Sequence, residues 1–275
     1  MTNGLLTVLV LAGTRAGTSD PMARAAGVSH KAILPVAGRP MIARVVDALA
    51  AHPRVGRIVV SIERPEILDG VLDHPVGVLP PAPGPSASVM EALSTLGTPL
   101  LVTTADHALL RPEWIDAFLA SAGTQCDMAA AIAMAGDIAR DAPGGRRTLI
   151  RLADGAFSGC NLFLFRTPAA LGVVRLWQRI ERQRKHPLRM ARLLGPMLLL
   201  RYATGRLTRA ALCARIGVLS HATVRLVPLP DGRAAVDIDK PADLAQAEAI
   251  LSRAWTRTGA RTGARTGAES CASPM

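Results

Sequence analysis

The sequence predicts an α/β protein with a doubly wound, mixed but mostly parallel sheet. Three observations predict it. The first strand candidate, Leu5–Leu11, is apolar on successive residues and carries β-branched valines, the pattern of a strand covered on both faces. A Gly-rich loop follows it directly, running from Ala12 to Lys31. Apolar runs then alternate with helix-periodic segments along the chain, which favours a sheet with helices on both sides. The 275 residues, 49% hydrophobic and 19% charged, suffice to bury a full core.

After the loop, Pro40 opens a helix reaching about Ala51, with Met41, Val45, Val46 and Leu49 on one face. Ile58–Ile62 is a second strand. Pro80–Pro85 is a rigid loop, and Ser86 caps a helix to Leu96. Leu100–Thr104 is another buried strand, and Asp106 stands just past its end. Residues 112–121 read as helix and 128–134 as strand. Thr148–Leu152 and Phe157–Phe165 read as strands around an Asp154-Gly155 turn. Helices at about 168–184, 188–203 and 208–215 come next. Val224–Val227 and Ala234–Ile238 return to strand, and a helix over Pro241–Ala254 closes the domain. Residues 1–254 thus form a single domain with a helical insert at about 166–220. The last stretch, 255–275, contains Arg-Thr-Gly-Ala three times without an apolar face, and a disordered tail is expected.

Composition removes several function classes. Aromatic residues are 3% of the chain, too few for base-stacking platforms, so nucleic acid is an unlikely partner. Cys126, Cys160, Cys213 and Cys271 form no CxxC pair, which argues against a zinc site or disulfide framework and fits a reduced, cytoplasmic compartment. No stretch approaches the ~20 apolar residues of a spanning helix. The net charge of +11 is concentrated: residues 166–215 hold twelve Lys and Arg but one acid, Glu181, while the remainder is balanced. Arginines there alternate with Leu, Val, Met and Trp177 in an amphipathic pattern. Three uses are open for it: a lid or homodimer face, a peripheral contact with the anionic inner face of a membrane, or a nucleic acid.

Four motifs carry chemistry. In Leu11-Ala12-Gly13-Thr14-Arg15, glycine lets backbone N–H groups close on phosphate oxygens and Arg15 adds a fork of donors. Lys31 precedes the turn Pro35-Val-Ala-Gly38-Arg39-Pro40 and can return to the same phosphates. Asp106, at the carboxyl end of a central strand, lies where open α/β sheets bind ligands, and its oxygen chemistry suits Mg²⁺. Its alternative is capping the helix near Pro112. In Val236-Asp237-Ile238-Asp239-Lys240-Pro241, two carboxylates fall on one side of an expected strand, and one can complete a metal site with Asp106. Asp243 is a helix-start residue. His107, beside Asp106, reads as a packing or supporting residue rather than an acid or base.

Together these motifs resemble the MobA-like NTP-transferase superfamily over roughly 5–165 and 222–252. That family includes sugar-phosphate nucleotidyltransferases and cytidylyltransferases. The resemblance implies a nucleotide-diphospho-sugar transferase-like fold and transfer of an NMP from an NTP, CTP slightly favoured, to a phosphorylated acceptor. The acceptor would be a small molecule, a sugar or a lipid precursor, and pyrophosphate would leave. By resemblance Leu11, Ala12, Gly13, Thr14, Arg15 and Lys31 hold the triphosphate, and Ser88 meets the base. Arg15, Lys31 and Asp106 are catalytic, Asp106 and Asp239 hold Mg²⁺, and Gly159 and Asn161 lie near the acceptor. The chain departs from the family pattern at Thr14 (usually Gly), at Lys240 (usually Thr) and in the basic insert. The alternatives are a glycosyltransferase of related fold, for which Thr-Ala-Asp-His supplies only one strand-end carboxylate, and a nucleotide-binding regulatory domain without turnover.

Overall fold

The fold is that of a computed structural model, which describes residues 4–14, 20–183, 191, 193 and 195–263. Arg15, expected in the phosphate cradle, lies outside the described residues, as do 184–190 of the insert and 264–275 of the tail.

Pro35–Val36 pairs Arg39–Pro40 in a separate two-residue ladder, and the strands of the main sheet are β1 (Leu6–Leu11), β2 (Val55–Ser61), β3 (Gly77–Leu79), β4 (Leu100–Thr104), β5 (Met128–Met134), β6 (Ile150–Leu152), β7 (Gly155–Phe165) and β8 (Val224–Leu229). They form one sheet in the order β8-β5-β7-β4-β1-β2-β3, with β6 pairing β7. β7 runs antiparallel to β4, β5 and β6, and the other pairings are parallel. Val8 and Val10 bury into the larger apolar cluster on one face, and Leu9 buries into the smaller cluster on the other. The apolar run therefore marks a central strand covered on both sides.

The helices are α1 (Pro21–Ala25), α2 (Met41–Ala50), α3 (Pro85–Leu96), α4 (Pro112–Ala122), α5 (Ala135–Asp141), α6 (Leu171–Gln183), α7 (Pro196–Ala203), α8 (Arg209–Ser220) and α9 (Pro241–Gly263). α2 buries Met41, Val45, Val46 and Leu49 on the stripe that the sequence spacing predicts. α3 starts one residue early: Pro85 opens it after Gly84, and Ser86 makes no cap hydrogen bond. Pro fits the first helical turn because its missing N–H would be unpaired there anyway. α8 is capped by Thr208, whose side chain accepts from Ala211 N, and it extends to Ser220. α5 was not expected.

The segment 234–238 is not a strand. Gly232–Ala235 is a 3-10 turn, and Ala234, Ala235, Val236 and Ile238 are simply buried. Gly232 makes the turn possible, since a Cβ there would come within 2.2 Å of the Asp137 carbonyl. The closing helix runs past Ala254 to Gly263, into the repeat expected to be disordered. Alanine and arginine are good helix formers, so propagation needs no apolar face. Among the described residues, Cys126, Cys160 and Cys213 are free thiols, and no helix is long and apolar enough to cross a membrane.

Candidate active site

All parallel strands end on one edge of the sheet, and Gly13, Thr14, Lys31, Asp106 and Asp239 lie on the loops at that edge. β1 gives way to Ala12, whose N–H donates to the Ser61 carbonyl (2.9 Å), while the Leu11 carbonyl accepts from Ala105 N (2.9 Å). The three turns after β1, β2 and β4 are thereby tied together. Gly13 packs closely on its neighbour: a Cβ there would stand 3.0 Å from Pro81 Cβ, so the loop before α3 would have to shift slightly. The Thr14 N–H and hydroxyl both donate to Glu63 Oε1, the hydroxyl at 2.8 Å. Both donors of Thr14 thus meet one carboxylate oxygen.

Lys31 begins a 3-10 turn, Lys31–Ile33, and its ammonium reaches two carboxylates at once. Nζ lies 3.2 Å from Asp106 Oδ2 and 2.6 Å from Asp239 Oδ1. Two oxygens touching one ammonium are close to each other, so segments 133 residues apart in sequence converge at a single cation. The backbone reinforces the junction, because Ile238 N donates to the Asp106 carbonyl (3.1 Å). Asp106 Oδ1 also accepts from the Thr104 hydroxyl. It does not cap α4, which follows Arg111 without a side-chain cap. Burial opposes the charge on Lys31, but Asp106 and then Asp239 outweigh it, and the pKa is raised above the ordinary 10.5. The ammonium is firmly protonated.

Asp237 and Asp239 separate in role. Asp237 pairs with Arg147 Nη1. Burial raises its pKa; Arg147 works against that, and nearby Asp106 and Asp239 add to it. Asp243 accepts from the N–H groups of Asp239 (3.2 Å) and Lys240 (3.0 Å), the helix-start role expected of it. Arg147 Nη2 lies 3.3 Å from Asp243 Oδ1, so this largely buried arginine braces the acidic segment from two points.

The Ser88 hydroxyl is engaged within the chain. It is buried, accepts from Ala82 N (2.9 Å) and donates to the Gly84 carbonyl (3.2 Å), which fixes the Pro80–Pro85 loop. Gly159 and Asn161 sit on β7. Gly159 has open space where a Cβ would be. Asn161 has φ +46°, at the irregularity in the β5–β7 pairing between Ala130 and Ile132. Asparagine tolerates this left-handed conformation, and bulges of this kind re-aim strand residues next to sites. His107 is buried, 3.3 Å from the Thr103 hydroxyl through Nδ1 and stacked on Trp114. Burial lowers its pKa to about 4 despite Asp106, so it is neutral at physiological pH.

Residues 8–203 match the family model of the MobA-like NTP transferase domain. The chain belongs to that family. Its fold is shared by a hypothetical transferase of Thermus thermophilus (30% identity, TM-score 0.76), covering 87% of this chain and 99% of that one. It is also shared by 4-diphosphocytidyl-2C-methyl-D-erythritol synthase of Anaerococcus prevotii DSM 20548, at 10% identity and TM-score 0.56, with 91% and 99% covered. A third protein of the same fold is a CMP:2-keto-3-deoxy-manno-octonic acid synthetase complexed with CTP, at 13% identity and TM-score 0.54, with 90% and 99% covered. No curated protein matches.

Three residues that contact the candidate site or its loops escaped the sequence reading. Glu63, which holds Thr14, stands just past the end of β2, and the strand-end rule that found Asp106 could have found it. Glu181 accepts a hydrogen bond from the Ser86 hydroxyl and joins the insert to the α3 start. Arg147 lies in a Pro-Gly-Gly-Arg-Arg loop that carries no motif.

Proposed function

We propose that this protein is a nucleotidyltransferase that moves an NMP from an NTP to a phosphorylated acceptor and releases pyrophosphate. The observation that carries the reading is the meeting of Lys31 with Asp106 and Asp239 beside the Gly13–Thr14 turn. CTP is the favoured donor, supported by two relatives of the same fold whose names specify cytidine nucleotides.

In the reaction an acceptor phosphate oxygen attacks the α-phosphorus in line. The bond from that phosphorus to the bridging oxygen breaks, and pyrophosphate departs. The attacking oxygen is already anionic, so no general base is required, which agrees with a buried, neutral His107. Catalysis then rests on positioning and on cationic groups around the leaving phosphates. Lys31 and Arg15 serve that end, and the Gly13–Thr14 turn contributes backbone donors.

The residues fit a Mg²⁺ ion. Among the described residues no group of three or more His, Cys, Asp or Glu gathers to hold a metal. Mg²⁺ commonly takes only one or two carboxylates, however, and completes its shell with phosphates and water. Asp106 and Asp239 supply that pair, and the Lys31 ammonium between them marks a place suited to a cation. When bound there, the ion would supply charge neutralisation at the phosphate oxygens.

The test is pyrophosphate release with each NTP and a panel of phosphorylated acceptors. Asp106→Ala should lower turnover by about 10²–10³-fold with the productive pair. Near-normal turnover in that variant would overturn the assignment.

A further inference from the structure

The middle of the basic insert reaches the sheet edge that holds Lys31, Asp106 and Asp239. Phe165 ends β7 opposite Leu100 and Met128, the first residues of their strands, so α6 starts at the far edge. It climbs beside α3 until Glu181 meets Ser86, at the amino end of α3. α8 begins where Arg209 donates to Asp154 (Nε to Oδ2, 3.0 Å), in the turn that opens β7. Because β7 is antiparallel, that turn lies on the carboxyl edge of the parallel strands. The chain between Gln183 and Arg209 therefore leaves from and returns to the edge that holds Lys31, Asp106 and Asp239.

α7 lies in this stretch and is apolar toward solvent. Met197 is 61% exposed, Leu200 57% and Tyr202 55%, on a helix of eight residues. Arg201 and Arg206 are exposed next to them. On α6, exposed Arg175, Arg179 and Arg182 recur at i, i+4 and i+7, a basic stripe along one helix face. Large exposed apolar side chains among arginines suit an interface whose inner layer is hydrocarbon and whose surface is anionic. Water alone leaves those apolar groups uncovered. An acidic protein surface would match the arginines but not the Met197–Leu200 pair.

We propose that α7 and the flanking arginines seat the protein on an anionic phospholipid bilayer, with the catalytic edge facing the membrane.

The test is co-sedimentation of the full chain with vesicles of phosphatidylcholine alone or with added phosphatidylglycerol. Met197→Ser/Leu200→Ser and Arg201→Gln/Arg206→Gln proteins are run alongside, their folding checked by circular dichroism. The wild type should pellet with the anionic vesicles at low ionic strength, be released by salt, and leave the neutral vesicles alone. Loss of two arginines should weaken partitioning roughly thirty-fold, and loss of the two apolar side chains by at least about tenfold. Failure of the wild type to bind anionic vesicles at low salt overturns the proposal. So does a dimer, seen by sedimentation velocity, that the Met197→Ser/Leu200→Ser protein cannot form while neither protein binds vesicles. Titration of each preparation with CTP and Mg²⁺ separates this proposal from the nucleotidyltransferase reading. Nucleotide binding without vesicle binding removes the membrane proposal alone. Vesicle binding by a protein that binds no NTP leaves docking intact and removes the proposed reaction.

Discussion

The ammonium of Lys31 holds two carboxylates that would otherwise repel each other. It therefore also competes with any divalent ion for the same oxygens. Lys31→Met should lower turnover by about 10²–10³-fold, as expected for a group that stabilises charge in the transition state. The same change should strengthen Mg²⁺ binding in the absence of nucleotide, read as a larger rise in melting temperature on adding Mg²⁺. A variant that is inactive and shows no gain in Mg²⁺ response would mean that Lys31 and the ion do not share a place. His107 makes a separate prediction. Its folded pKa is about 4 against an ordinary 6.5. Between those values the unfolded chain binds a proton that the folded protein excludes. Stability is therefore complete above pH 6.5 and declines as pH falls toward 4, with a slope of at most about 1.4 kcal/mol per pH unit. His107→Gln should flatten melting temperature against pH across that window. An unchanged slope would assign the acid sensitivity to other groups.

At the scale of elements, two contacts decide whether the site stays assembled. Arg147 joins the loop after α5 to Asp237 and Asp243, and its side chain is 7% exposed. Arg147→Met would leave both carboxylates without their cation, of which the Asp243 pair is buried, a loss on the order of 3 kcal/mol for breaking that buried pair. A melting temperature within error of the wild type would contradict that role. Gly172 opens α6 against the end of α8, where a Cβ would come 1.9 Å from the Ser220 carbonyl oxygen. Gly172→Ala must push the two helices apart, so the insert should become sensitive to limited proteolysis while β1 to β5 stay protected. Full protease resistance would show that the helix pair adapts. Neither contact was legible in the sequence. The buried strands and the α2 stripe were, because period and apolar content report burial directly. The same signal misled at Ala234–Ile238, where burial occurs on a tight turn: apolar side chains say that a segment is covered, not that it is extended. Asp106 could be singled out from its place at a strand end, whereas the alternation left Asp237 and Asp239 equal and only the family resemblance favoured Asp239. That Lys31 bridges Asp106 and Asp239 could not be read there, since a long side chain chooses its partners only once three loops have met.

Across the whole molecule, charge is divided by region. The excess positive charge lies within residues 166–215, and the rest of the chain is balanced. The sequence showed that division; the topology adds that the stretch between α6 and α8 starts and ends at the edge that holds Lys31, Asp106 and Asp239. Its field should therefore act on the approach of anions more than on the chemistry, and such steering weakens as salt shortens the screening length to about 8 Å at physiological ionic strength. With a water-soluble phosphorylated acceptor, kcat/KM should fall several-fold as salt is raised, while kcat at saturation changes little. Arg175→Gln/Arg179→Gln/Arg182→Gln removes three exposed charges of α6 that touch none of the proposed catalytic groups. That protein should start from a lower kcat/KM at low salt and meet the wild type at high salt, with saturated kcat within about twofold throughout. The crossing of the two salt profiles is the diagnostic. Parallel profiles would mean that the arginines act through local contacts, and a fall in kcat would mean that α6 supports the site mechanically rather than through its field.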